Sequence, residues 1–202
     1  DLDYVQLKKK LPKNVIPVIV KMGDLNKIPF HKLEKALHSD HYIVFGASFI
    51  KDELAEFLIR KHAVNIHMGI SPFYRGSSCN FWASFDKNLS MVGATIHLIS
   101  KGLDSGSILF HALPMEEDCP FRLGMRSVAA AHKGLVHYIK NNEIEELIPI
   151  EQDKSQEIRY TRNIDFNDKV AIEYLENLPT KEDIRKSINI RNNNKYINPF
   201  IY

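Results

Sequence analysis

The sequence lacks several features that would place it in a specialised class of protein. No apolar run approaches the roughly 18 residues of a membrane-spanning helix, and the first residues do not have the pattern of a signal peptide. The two cysteines, Cys79 and Cys119, form neither a CxxC motif nor a metal-binding spacing. We therefore predict free thiols, no metal site, no membrane partner and a reducing, cytoplasmic location.

The chain also lacks an excess of charge of one sign. It has 27 Lys and Arg residues against 25 Asp and Glu residues, which gives a net charge of +2. This balance argues against a nucleic acid as the main partner, and the three lysines at 8–10 are typical of a solvated helix face. With 202 residues and 44% hydrophobic content, the chain can bury the core of one globular domain.

Apolar segments alternate with segments of helical spacing in the first third of the chain. The apolar runs predict strands at 14–22, 41–49 and 63–67, and the spacing of apolar residues predicts helices at 29–40 and 50–62. Strands separated by helices at these lengths indicate right-handed crossovers and a parallel sheet covered by helices, which is an α/β fold.

The pattern changes towards the middle of the chain. Segments 90–100 and 106–114 predict two strands joined by a short turn, and 120–143 predicts a long helix. After about residue 150 the chain becomes polar, and weaker patterns predict a strand at 156–162 and short helices around 167–177 and 180–190. We therefore divide the chain into a core at 1–150 and a short C-terminal segment at 151–202.

Two polar side chains lie at the end of the third predicted strand. Positions i and i+2 of a strand face the same way, so Asn65 and His67 project together. Ligands bind at the carboxyl ends of strands in open α/β sheets. An imidazole that exchanges protons near neutral pH, beside an amide that donates to an oxyanion, is suited to catalysis there. The alternative is a capping asparagine beside a half-buried histidine.

A flexible loop and a turn aspartate extend this candidate site. Residues 69–78 are rich in Gly, Ser and Pro, which lets the backbone approach a ligand closely. In this loop Tyr74 and Arg75 supply a flat donor and a permanent cation for an anionic partner, although Tyr74 is also suited to packing. Asp104 follows His67 by 104 − 67 = 37 residues. Its carboxylate is suited to orienting the imidazole, and an ordinary turn aspartate is the alternative.

The segments NIHMGISPFYRG and GATIHLISKGLDSG resemble the motifs of the folate-dependent formyltransferase family, N-x-H-P-S-L-L-P-x-Y/F-x-G and then G-x-T-x-H…D-x-G. The match runs from about residue 41 to residue 110, and the long helix after it also fits. The chain departs from the family where Met68 and Gly69 replace Pro-Ser, and where Ile70 and Ser71 replace Leu-Leu. The first strand of the family's sheet, which would precede residue 1, is expected to be missing from this sequence.

The resemblance implies a Rossmann-like formyltransferase core with a mostly parallel sheet. It also implies transfer of a formyl group from N10-formyltetrahydrofolate to an amine. Asn65 and His67 would stabilise the oxyanion, and Asp104 would keep the histidine charged and relay protons. No covalent intermediate is needed, so no serine or cysteine is expected to be a nucleophile. The family binds the pterin through backbone that corresponds here to Phe45, Gly46, Ser48, Phe49, Ile50, Lys101 and Leu103.

Within the family, the loop most resembles that of bacterial nucleotide-sugar N-formyltransferases of O-antigen and lipopolysaccharide synthesis. The implied acceptor is a nucleotide-linked amino sugar, with dTDP-4-amino-4,6-dideoxyglucose as the first choice and a 3-amino isomer as its rival. The side chains expected to contact the acceptor are Met68, Ser71, Tyr74, Arg75 and Trp82.

Three further expectations accompany this reading. A formyltransferase of the glycinamide ribonucleotide or methionyl-tRNA type is one alternative, and a nucleotide-sugar-binding domain without catalysis is another. The family also suggests a homodimer in which the C-terminal segment packs at a two-fold interface. The apolar residues that favour this interface are at the end of the chain, at Ile197, Phe200, Ile201 and Tyr202.

Overall fold

The computed structural model describes residues 11–15, 17–102 and 104–202, without the side chain of Glu34. The strands in these residues are β1 (Ile43–Phe45), β2 (Val64–His67), β3 (Tyr74–Gly76), β4 (Ala94–Leu98), β5 (Ile108–Leu113), β6 (Arg159–Thr161) and β7 (Phe200–Ile201). The α-helices are α1 (Asp52–Arg60), α2 (Cys79–Phe85), α3 (Pro120–Lys140), α4 (Asp168–Glu176) and α5 (Lys181–Asn189). Short 3-10 helices lie at Asp24–Lys27, Phe30–Leu37, Leu89–Met91, Lys154–Gln156, Asn163–Asp165 and Asn193–Lys195.

The main sheet has the strand order β1-β2-β4-β5-β7. The outer pairs β1–β2 and β5–β7 are parallel, and the inner pairs β2–β4 and β4–β5 are antiparallel. Strands β3 and β6 form a separate parallel pair. The predicted α/β class is confirmed, and so is the hairpin-like pair, which corresponds to β4 and β5.

Two hydrophobic clusters hold the layers together. In the first, Ala130 and Ala131 of α3 are buried in one cluster with Phe110 of β5. Gly134 permits the close approach of α3 to β5, since a Cβ atom there would lie 2.8 Å from the Phe110 ring. The second cluster surrounds α2 and includes Ile184 of α5. The C-terminal segment therefore shares its core with the rest of the chain.

The strand predicted at 14–22 is wrong for the described residues of that range. They form no strand, and Val18, Ile19 and Met22 are 63%, 57% and 91% exposed. A β-branched run becomes a strand only where a neighbour supplies backbone partners and a face for packing, and no described strand lies beside this run. Residues 8–10 and Ile16 lie outside the described residues. The helix predicted at 29–40 is a 3-10 helix.

The C-terminal residues fold back onto the sheet of their own chain. Strand β7 pairs with β5, with Ala112 opposite Phe200 and Leu113 opposite Ile201. Phe200 and Tyr202 also pack against the first cluster. The residues that suggested a dimer interface therefore cover the sheet of their own chain, and the homodimer itself stays a prediction. The predicted strand and helices of the C-terminal segment are confirmed as β6, α4 and α5.

The long helix α3 was predicted correctly, with Pro120 as its first residue. No helix in the described ranges combines the length and the apolar character needed to cross a membrane.

Candidate active site

The site forms where β2 ends. Strand β2 lies between β1 and β4, so its position is fixed on both sides. Asn65 and His67 project from it towards the turn that contains Asp104. The Asn65 amide donates to Asp104 Oδ1 at 3.0 Å, and His67 Nδ1 lies 3.3 Å from Asp104 Oδ2. One carboxylate thus joins both residues, as the sequence predicted for the histidine.

The backbone of the turn determines where the Asp104 carboxylate lies. Asp104 has a φ of +45°, a left-handed conformation that costs energy for a residue with a Cβ atom. Gly106 lies so close to β4 that a Cβ atom there would be 1.7 Å from the carbonyl oxygen of Leu98. The hydroxyl groups of Ser100 and Ser105, 2.9 Å apart, close the turn. Leu103, which was predicted to contact the cofactor, lies outside the described residues.

The electrostatics of His67 and Asp104 favour an ion pair. Burial on its own lowers the pKa of His67, but the interactions with Asp104 and Cys79 together outweigh it and raise the pKa well above its usual value. Burial likewise raises the pKa of Asp104, but the interactions with His67 and with His97 together lower it below the usual range of a carboxyl group. At neutral pH these shifts favour an imidazolium beside a carboxylate.

His67 also contacts a cysteine. Its Nε2 lies 3.5 Å from Cys79 Sγ, and the same thiol lies 3.5 Å from the carbonyl oxygen of Gly76. A charged imidazole donates from both nitrogens, so Sγ accepts from Nε2 while the thiol hydrogen points to Gly76. Cys79 is 1% exposed, which keeps Sγ away from a substrate. The thiol is thus placed to orient the imidazole.

Gly69 explains one departure from the family motif. A Cβ atom at this position would lie 2.4 Å from Cys79 Cβ and 3.1 Å from His67 Nε2. The space that a serine side chain would need is therefore occupied by Cys79. Glycine at 69 and cysteine at 79 fit each other in this chain.

His97 is a member of the site that the sequence reasoning did not select. It is 2% exposed and pairs directly with Asn65 across β2 and β4. Its Nδ1 lies 2.8 Å from the carbonyl oxygen of Leu98 and its Nε2 lies 3.0 Å from Asn65 Nδ2. Because a carbonyl only accepts, Nδ1 carries the proton and Nε2 accepts from the amide. Its place in the motif G-x-T-x-H was the available signal.

A pocket opens beside Asn65, His97 and Asp104. Its wall is built from the segment after β1 and from the segment that leads into the Asp104 turn. The other lining residues are Val44, Ala47, Ser48, Phe49, Ile50, Ile99, Ser100 and Gly102. Of the residues predicted to bind the folate, Ser48, Phe49 and Ile50 line this pocket, whereas Phe45 packs edge-on against His132 with the ring centroids 4.9 Å apart. Gly46 and Lys101 adjoin lining residues along the chain.

A second pocket adjoins Asp104 on the side of β3. It is lined by Arg75, Gly76, Gly102, Asp104, Ser105, Lys154 and Tyr160. Arg75 and Tyr160 are opposite each other in the β3–β6 pair, and the guanidinium carbon lies 6.0 Å from the centroid of the tyrosine ring. Lys154 and Tyr160 belong to the C-terminal segment and were not predicted, because only the pairing of β6 with β3 brings them to the site.

Three of the side chains that were predicted to contact the acceptor lie in the interior of this structure. Ser71, Tyr74 and Trp82 are 0%, 1% and 4% exposed. The Tyr74 hydroxyl is bonded to Asp86 at 3.2 Å, and the Arg159 guanidinium covers the Trp82 ring at 4.7 Å. Met68 packs against the first hydrophobic cluster. Of the predicted set, Arg75 is the residue that lines a pocket.

Comparison with known proteins finds similar formyltransferases. No family model matches the chain. The chain is 30% identical over 124 residues to the methionyl-tRNA formyltransferase of Synechococcus sp. (strain JA-3-3Ab), which is 60% of this chain and 38% of that protein. It is 29% identical over 110 residues to the GDP-perosamine N-formyltransferase of Brucella melitensis, which is 48% of this chain and 42% of that protein. The chain therefore spans about two fifths of the length of these relatives.

Among solved structures, the chain is similar to the formyltransferase PseJ from Anoxybacillus kamchatkensis, with a TM-score of 0.54 and 23% identity over 73% of this chain and 77% of that one. That structure contains UDP-4,6-dideoxy-4-formamido-L-AltNAc and tetrahydrofolate. Within the described ranges, no group of three or more His, Cys, Asp or Glu side chains is placed to hold a metal ion. The chain has the formyltransferase fold, and its resemblance to the formyltransferase family is confirmed in both sequence and structure.

Proposed function

We propose that this protein is a sugar N-formyltransferase, which moves a formyl group from N10-formyltetrahydrofolate to the amino group of a nucleotide-linked amino sugar. The observation that carries the proposal is the hydrogen-bonded cluster of Asn65, His67 and Asp104 at the junction of two pockets. Each pocket takes one substrate, and the carboxylate lies where they meet.

The formyl donor fits the pocket beside Asn65 and His97. This pocket is lined by residues 47–50 and by Ile99, Ser100 and Gly102, whose backbone can supply donors and acceptors for a flat, polar ring system. Phe49 is 48% exposed and adds an aromatic face. Asn65 and Asp104 line the pocket where the formyl group would lie. The presence of tetrahydrofolate in the similar PseJ structure supports a folate as the co-substrate.

The chemistry follows from the charges at the cluster. The acceptor nitrogen attacks the formyl carbon, a C–N bond forms, and the carbonyl electron pair moves to oxygen. The Asn65 amide then donates to this oxyanion. The hydrogen that it uses is the one that donates to Asp104 Oδ1 in the structure, and it leaves the carboxylate as the carboxylate accepts the proton of the amine. The imidazolium of His67, which lies behind the carboxylate, stabilises the developing negative charge electrostatically.

Asp104 moves the proton. Its carboxylate accepts the proton that the attacking amine loses and delivers it to N10 as the bond between the formyl carbon and N10 breaks. The products are a formamido sugar and tetrahydrofolate, so atoms and charge balance without a covalent intermediate on the protein.

The second pocket suits the acceptor. Arg75 is bonded to Glu157 at 2.8 Å through Nη1, while its buried Nε has no partner among the described residues. Lys154 adds a second cation, and the ring of Tyr160, which is 53% exposed, can stack on a nucleobase. A nucleoside diphosphate sugar has the anionic and aromatic parts that this surface would bind. We retain dTDP-4-amino-4,6-dideoxyglucose as the first choice, with the 3-amino isomer as its rival.

A methionyl-tRNA acceptor is the second candidate, because the sequence match to such an enzyme is 30% identical.

A panel assay separates the candidates. The protein is incubated with N10-formyltetrahydrofolate and, in turn, a dTDP-linked, a GDP-linked or a UDP-linked amino sugar, methionyl-tRNA, or no acceptor, and tetrahydrofolate release is followed by absorbance.

We expect release with a nucleotide-linked amino sugar and a formamido product of the corresponding mass. If tetrahydrofolate is released only when methionyl-tRNA is the acceptor, the acceptor is the tRNA and not a sugar. Release that is equal with and without an acceptor would show hydrolysis of the donor. If the protein binds the nucleotide-sugar but releases no tetrahydrofolate under any condition, it is a nucleotide-sugar-binding domain without catalysis.

A further inference from the structure

A side chain from the C-terminal segment binds the backbone of the turn that carries Asp104. Gln152, in the C-terminal segment, reaches the turn and donates from Nε2 to the carbonyl oxygens of Asp104 and Gly106, at 2.9 and 2.8 Å. The two acceptors are two residues apart and on either side of Ser105. The amide thus bridges the part of the turn that carries the Asp104 carboxylate.

The orientation of this amide is determined by its partners. Both partners are carbonyl oxygens, so the nitrogen must face them, and both of its hydrogens are used. The amide oxygen Oε1 is buried and has no partner among the described residues. A glutamine placed only for burial would be expected to satisfy its oxygen as well. This one is placed to donate.

The backbone that carries Gln152 is itself fixed. Two residues earlier, Ile150 forms an isolated antiparallel bridge with Ile108 of β5, with N···O distances of 2.7 and 2.9 Å. The amide therefore projects from a backbone anchored to the main sheet. The turn needs such support, because Asp104 has a φ of +45° and a relaxed turn would move its carboxylate.

We propose that Gln152 is a positioning residue for formyl transfer: through the carbonyl groups of Asp104 and Gly106 it holds the Asp104 carboxylate within reach of His67 and Asn65. The inference rests on the proposed function for its effect on catalysis, but its effect on the geometry of the turn is independent of any substrate. It also assigns a role in the site to the segment after residue 150.

The state of His67 reports the position of the turn. Two groups face its imidazole, the Asp104 carboxylate from the turn and the Cys79 thiol from α2, and His97 lies beyond the carboxylate. When the turn relaxes, the carboxylate withdraws and the thiol remains. The contribution of the carboxylate, which raises the pKa of the His67 imidazole, is then lost, so this pKa falls.

The test compares Gln152→Ala and the isosteric Gln152→Glu with Glu151→Gln. The Gln152→Glu side chain would turn an acceptor towards two carbonyl oxygens. Glu151 is an exposed neighbour in the same segment and serves as the matched control. The measurements are the titration of the His67 ring by NMR, the melting temperature, and kcat and KM for formyl transfer.

We expect the His67 titration to move to lower pH in both Gln152 variants and to stay in place in Glu151→Gln. We expect kcat to fall by about ten- to a hundredfold, the range for a displaced catalytic group, with KM for the donor changed less than threefold. The alkaline limb of the kcat profile should move to lower pH in parallel with the titration. A loss of melting temperature with an unchanged titration and an unchanged pH profile would reduce Gln152 to a stabilising contact and overturn the proposal.

A double variant checks that Gln152 acts through the carboxylate. If it does, Gln152→Ala should cost almost nothing further in Asp104→Asn, where the charge is already gone. A full multiplicative loss in the double variant would overturn the proposal. If instead wild-type protein shows no formyl transfer with any acceptor, the proposed function fails, while the His67 titration still decides whether Gln152 positions the turn.

Discussion

His111 on β5 should make the stability of the protein depend on pH. The imidazole is 1% exposed and lies between two backbone groups, with Nε2 2.9 Å from the Ser71 carbonyl oxygen and Nδ1 2.9 Å from the Ile197 N–H. Because Nδ1 accepts, the ring is neutral. Burial lowers the pKa of His111 from 6.5 to about 4, partly offset by the bond to Ser71.

The sign and size of the effect follow from this shift. A lowered pKa in the folded state gives stability that is present above pH 6.5 and is lost as the pH falls towards 4, because the unfolded chain binds the proton first. A difference of about 2.5 pH units corresponds to roughly 3 kcal/mol. Protonation would also break the bond to Ile197, which fixes the residues before β7.

The assay is urea unfolding of wild type and His111→Gln between pH 4 and 7. We expect the advantage of wild type over the variant to shrink by roughly 3 kcal/mol on going from pH 7 to pH 4. Phe110→Leu is the control on the same strand, and its deficit should be constant because it removes no titratable group. Parallel curves for wild type and His111→Gln would refute the reasoning.

Two further predictions concern the segment between β2 and α2. Gly69→Ala should lower the free energy of unfolding by about 1–3 kcal/mol, because the new Cβ atom would lie 2.4 Å from Cys79 Cβ. Thermal unfolding measures this change, and an unchanged melting temperature would show that α2 can shift to make room without a loss of stability. Arg75→Ala should raise KM for the nucleotide-linked acceptor about tenfold or more with a smaller change in kcat, since it removes a charge-assisted contact outside the reacting atoms. Steady-state kinetics check it, and an unchanged KM would place the acceptor elsewhere.

The part of the site that lies on regular structure was predictable. Asn65 and His67 are two apart on a buried strand, so their shared direction follows from the alternation of strand side chains. Asp104 was selected as an aspartate in a predicted turn between two strands, and by its place in the motif that resembles the formyltransferase family. The roles assigned to these residues remain proposals, but their meeting within 3.3 Å is a property of the structure.

Contacts between distant parts of the chain were not predictable from local patterns. Gln152 and Tyr160 reach the site only because residues 150–161 pair with β5 and β3, which the sequence does not signal locally. Strand β7 consists of two residues, too few for a periodic signal, and it exists because β5 offers a free edge. His97 was within the recognised motif, but its bond to Asn65 depends on the register of β2 against β4.

Composition also failed to give the direction of side chains in the loop. Ser71, Tyr74 and Trp82 were expected at the ligand because the loop is rich in groups that bind ligands. In the structure this stretch crosses the second hydrophobic cluster, so the aromatic rings turn inwards and leave Arg75 at the pocket. Similarly, residues 17–22 have the composition of a strand without a described neighbour to pair with.

The most direct test of the central claim is the rate of formyl transfer by His67→Asn, measured together with its melting temperature. If the imidazolium stabilises the oxyanion beside Asn65 and Asp104, kcat should fall by roughly two to four powers of ten. KM for the nucleotide-sugar should change little, because Arg75, Lys154 and Tyr160 lie in the other pocket. A variant that remains folded and turns over at the wild-type rate would contradict the account.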